Sequence, residues 1–63
     1  MINEYDKVRI LSNGIVGEVI DIFEADGKTV YTVESERKNV DGGFGIDGYW
    51  KRFECLESEL EKV

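Results

Sequence analysis

The sequence predicts an all-β fold, a single very small domain over residues 1–63. Three observations predict it. Residues 14–23 are dense in β-branched side chains, Asp26-Gly27 follows them, and Val30-Tyr31-Thr32-Val33-Glu34 answers them. Two such runs across Asp-Gly form the strongest hairpin signal a single sequence carries. Composition agrees with them: no Pro at all and 41% hydrophobic residues describe a folded domain, not a disordered tail.

Lys7-Val8-Arg9-Ile10-Leu11 alternates polar and apolar, so Val8 and Ile10 share the inner face of a first strand. Ser12-Asn13-Gly14 supplies a turn, because Asn and Gly tolerate positive φ. The second strand does not alternate cleanly. Gly17 and Val19 fall on one face, Ile20 and Ile22 on the other, which predicts a bent strand with a bulge or glycine kink near Gly17. The third strand alternates again, with Tyr31 and Val33 inward and Thr32 and Glu34 outward.

Residues 35–48 lose the pattern. Gly42, Gly43, Gly45 and Gly48 leave little intrinsic order, and a long exposed loop is expected, pinned by Phe44 or Ile46. The last segment supports two readings. Tyr49, Phe53, Leu56, Leu60 and Val63 form a full helical stripe, which gives a three-stranded meander plus a C-terminal helix. Tyr49-Trp50-Lys51-Arg52-Phe53 also reads as an aromatic strand, followed by a helical turn and a short closing strand that covers a sheet edge.

Val8-Arg9-Ile10, Asn13-Gly14, residues 16–22, Asp26-Gly27 and Tyr31-Thr32-Val33 resemble the small Src-homology-3-like barrels of KOW type, in particular short bacterial proteins of uncharacterised function. Tyr49-Trp50 and Glu59-Leu60-Glu61 match their aromatic strand and acidic tail. The resemblance covers most of the chain on weak motifs. It implies a five-stranded barrel with one short helical turn before the last strand. It implies no enzymatic activity; KOW domains proper often bind RNA or transcription and ribosomal partners. This chain departs from them in being strongly acidic.

Eight Lys and Arg stand against fourteen Asp and Glu, a net charge of −6. That sign opposes association with phosphate backbones or anionic lipid. Residues 37–52 run the other way, with Arg37, Lys38, Lys51 and Arg52 against Asp41 and Asp47. Cys55 is the one cysteine, so no disulfide forms within the chain, and a reducing, cytoplasmic setting is expected. No basic leader with an apolar run opens the chain, and no apolar run reaches membrane-spanning length.

Chemistry is poorly provided for. With no His, the commonest general base and the usual zinc ligand are both missing, and no metal or cofactor is expected. Glu54, Glu57 and Glu59 around Cys55 disfavour its thiolate, which makes it a packing residue. The loop Asp41-Gly42-Gly43-Phe44-Gly45 lacks the Lys-Ser/Thr of a phosphate cradle. The expectation is a non-enzymatic module.

Binding is expected around Phe44, Tyr49 and Trp50 beside Arg37, Lys38 and Arg52. With Tyr49 and Phe53 inward, period-two geometry places Trp50 and Arg52 together on the outer face. A Trp next to an Arg is a pair that anchors protein interfaces or stacks on bases. Two functions follow: a protein-interaction or adaptor module, recruiting an unidentified partner or its own copy, and a nucleic-acid-associated barrel. Recognition of a Pro-rich peptide is a third, resting on fold analogy alone.

Overall fold

The computed structural model describes every residue from Met1 to Val63. Five strands form: β1 (Lys7–Ile10), β2 (Val16–Ala25), β3 (Lys28–Lys38), β4 (Trp50–Leu56) and β5 (Leu60–Lys62), with one 3-10 turn, Glu57–Glu59, before β5. All neighbouring strands are antiparallel, in the order β4-β3-β2-β1-β5.

The β2–β3 hairpin turns on Asp26 and Gly27, with φ of 52° and 75°. Positive φ at both central residues suits the right-handed twist of the strands, and Asp-Gly tolerates it. At the β1–β2 turn, Asn13 Oδ1 accepts the Ile15 N–H at 2.9 Å, and Gly14 takes φ of 75°.

The irregularity in β2 falls at Ile20, not Gly17. Val19 pairs with Val33 and Asp21 with Thr32, which leaves Ile20 as the extra residue. This bulge changes the strand's parity, so Val19 and Ile22 share the core face instead of opposing one another. Gly17 serves a different need: a side chain there would run into the Glu34 carbonyl and Val33.

The core covers one face of the sheet. Val8, Val19 and Val33 are fully buried, and Ile2, Ile10, Tyr31, Cys55 and Leu60 complete the cluster. Such a core is thin, as the chain length requires.

Residues 49–63 do not form a helix. β4 pairs with β3 from Val30–Leu56 through Glu34–Arg52, and the helical stripe is dispersed: Leu60 is buried, Phe53 and Leu56 half-buried, Tyr49 and Val63 exposed. Pairing satisfies a whole row of β3 backbone groups that a terminal helix leaves open. Glu59 Oε1 accepts the Leu56 N–H at 2.7 Å and fixes the 3-10 turn.

That turn joins opposite edges of the sheet, since β4 and β5 lie at its two ends. Three residues of 3-10 helix rise only about 6 Å, so the sheet must curl strongly to bring the edges together. It stops short of closure. No ladder links β4 to β5; the three-residue β5 pairs with β1 alone. The expected closed barrel is a coiled open sheet.

Candidate functional site

The candidate surface grows from the loop between β3 and β4. β3 runs on to Lys38, further than the glycine-rich composition suggests, with a pairing irregularity between Glu34 and Lys38. Buried Ser35 closes that gap. Its Oγ donates to the Arg37 carbonyl at 2.9 Å and accepts the Lys51 N–H at 3.0 Å.

The loop then folds back onto the free edge of β4. Phe44 N–H donates to Arg52 O and Arg52 N–H to Phe44 O, both at 2.8 Å. This pins the backbone of Phe44 while its ring stays outside. Close passage past β4 needs Gly43, where φ is 70° and a Cβ would stand 2.8 Å from Arg52 O.

Four large apolar side chains remain exposed as a result: Trp50 (48%), Tyr49 (56%), Phe44 (68%) and Ile46 (73%). They surround one shallow depression of about 430 Å³, whose margin is completed by Glu34 and Arg52. Single exposed apolar residues are ordinary; a contiguous group marks an interaction surface.

β4 alternates as expected around Trp50. Trp50 and Arg52 point outward, while Lys51 and Cys55 are buried and Phe53 is half-buried. Tyr49 is not inward. It closes a turn through its N–H to Ile46 O at 3.1 Å, after Gly48 at φ 90°, and so precedes the strand's alternation.

The basic residues separate. Lys38 stays at the surface, its Nζ 4.6 Å from the Trp50 ring centroid and 5.9 Å from that of Tyr49. Arg52 Nε meets Glu34 Oε2 at 3.4 Å. Lys51 buries its stem and sends Nζ to Asp47 at 3.3 Å. Arg37 lines a different depression with Asn13 and Ile15, because the irregularity in β3 turns it away from Trp50. Two of the four cations in this stretch are therefore neutralised by carboxylates.

No family model, curated protein or solved structure matches the chain.

Cys55 is a free, buried thiol. Burial pushes its thiol pKa up, and the Glu59 charge pushes it the same way. No three His, Cys, Asp or Glu side chains converge as a metal site. No helix is long and apolar enough to cross a membrane. The sequence reading named five residues that the fold gathers: Phe44, Tyr49, Trp50, Arg52 and Lys38. It missed Glu34, whose place opposite Arg52 depends on strand register.

Proposed function

We propose that this chain is a non-enzymatic protein-interaction module that recruits a partner through the face around Trp50. The observation that carries this reading is the gathering of Phe44, Ile46, Tyr49 and Trp50 about one depression. A Trp ringed by apolar neighbours and an Arg has the composition of an interface hot spot. The likeness to small KOW-type barrels and a cytoplasmic setting belong to the same proposal. Self-association through this face is its second form.

The test is Trp50→Ala in a pull-down with identification of captured proteins, beside light scattering of the free chain. Loss of a specific partner, or of a dimer, with an unchanged circular dichroism spectrum supports the reading. Unchanged capture by Trp50→Ala overturns it.

Nucleic-acid binding by the same face is the alternative, favoured by Lys38 beside the rings of Tyr49 and Trp50. The ion pairs of Arg52 with Glu34 and Lys51 with Asp47 weaken that alternative, as does the net charge of −6. Salt-sensitive binding of a single-stranded oligonucleotide would restore it.

A further inference from the structure

Trp50 and Glu34 also border a second depression, of about 330 Å³, whose other walls include Tyr5, Lys7, Glu18 and Glu36. The two hollows share their dividing wall, so a ligand lying across Trp50 enters both. Their chemistry differs. The first is apolar, whereas the second sets three carboxylates against one ammonium between two exposed aromatic rings.

Strand register explains the charge. Glu18 and Glu34 stand directly opposite each other across β2 and β3. Lys7 opposes Glu18 on β1, and Arg52 opposes Glu34 on β4. One row across the sheet thus reads plus, minus, minus, plus. The outer charges relieve the middle of the row only in part, at Glu34 and not at Glu18. Lys7 Nζ is bonded to Glu36 Oε1 at 3.1 Å, Arg52 Nε meets Glu34 Oε2 at 3.4 Å, and Glu18 takes part in no ion pair. Like charges directly opposed on neighbouring strands are unfavourable, and a cation set between them reverses the sign. Trp50 and Tyr5 line the same hollow, and aromatic rings attract cations.

We infer that the partner presents an extended segment carrying an Arg or Lys side chain, which enters between Glu18 and Glu34 beside Trp50, while an adjacent apolar side chain fills the hollow of Phe44, Ile46 and Tyr49. Charge complementarity selects this occupant. A nucleic acid would bring phosphates against the unpaired Glu18 and a chain of net charge −6. A second copy of this chain would bring a body of charge −6. This rests on the reading of the Trp50 face as a protein-binding surface.

The experiment is selection from a random-peptide library on the intact chain, with Glu18→Gln/Glu34→Gln and Trp50→Ala variants as parallel targets. Trp50 is the single tryptophan, so its fluorescence reads the titrations of the intact chain and the Gln variants, and calorimetry reads Trp50→Ala. Selected peptides should be enriched in Arg or Lys beside apolar residues, and should bind the double variant roughly tenfold more weakly. Glu18→Gln alone, at an exposed and unpaired carboxylate, keeps the test valid should the double variant unfold. Peptides that need Trp50 yet show no basic preference, or lose nothing with the Gln variants, overturn the inference and leave the interaction reading standing. Failure to select any peptide that needs Trp50 overturns both.

Discussion

Lys38 and Trp50 face each other across the β3–β4 ladder, with the ammonium 4.6 Å from the ring centroid. The chain thereby rests one of its own cations on the most exposed large ring of the strand. An exposed cation–π contact is worth about 0.5–1 kcal/mol. Lys38→Gln should cost no more than that in urea unfolding. It should also raise quenching of Trp50 fluorescence by acrylamide, because the stem that shields the ring is shorter. Unchanged quenching would show that the lysine does not rest there in solution.

The attachment of Phe44 to β4 depends on Gly43. An Ala there adopts a left-handed backbone at a cost of about 1–2 kcal/mol, and its Cβ also meets Arg52 O and the Phe53 ring at 2.8 Å. Gly43→Ala should open the Phe44–Arg52 hydrogen-bonded pair and leave the rest of the sheet intact. Hydrogen exchange checks this directly: protection should fall at the amides of Phe44 and Arg52 and persist at Val19 and Val33. Partner capture should weaken with it, since Phe44 then leaves the margin of the hollow.

The Asp26-Gly27 hairpin was legible because its signal is local: two residues tolerant of positive φ between β-branched runs. The bulge was half legible. Apolar parity records that β2 changes face, but not which residue is extra, and Gly17 drew attention although its smallness answers Glu34 and Val33 instead. The last segment was undecidable locally, since one set of residues satisfies a helical stripe and a strand alike. Pairing with β3, a non-local term, decides it. At the surface, period two placed Trp50 and Arg52 correctly. Tyr49 escaped because the strand starts one residue after it, and Arg37 because the β3 irregularity breaks the count. The Glu18–Glu34 opposition is invisible without register, since fifteen intervening residues hide it.

Gly17 is the position least able to accept a side chain. It sits between β1 and β3, opposite Val8 and Ser35, and an added Cβ meets the Glu34 carbonyl and comes within 2.8 Å of Val33 Cγ1. Backbone oxygen cannot swing aside as a side-chain end can. Gly17→Ala should therefore cost about 1–3 kcal/mol, toward the upper end. A chain of this length has only about 3–9 kcal/mol in total. Each kcal/mol should lower Tm by about 4–8 °C, so calorimetry gives a clear answer. A shift within error would mean that β2 and β3 separate there at little cost.

Cys55 makes the alkaline limb of stability predictable. Burial first, and the Glu59 charge second, raise its thiol pKa in the native chain. An unfolded thiol titrates near about 8.5. Below that pH both states hold the proton, and Cys55 contributes no pH dependence. Above it the unfolded chain releases the proton while the native chain retains it, so unfolding gains free energy as pH rises. The contribution is intact at neutral pH and is lost from about 8.5 upward, toward the raised native value. Comparing the urea midpoint at about pH 7 and about pH 10 in the wild type and in Cys55→Ala isolates the thiol from other groups that titrate there. The wild type should lose more stability between the two than the variant does. Equal losses would mean that the thiol ionises as readily in the fold as in the unfolded chain. In that case an aromatic disulfide reagent should also label native Cys55 at the rate of a free thiol, whereas the buried side chain described here should react only as fast as β4 opens.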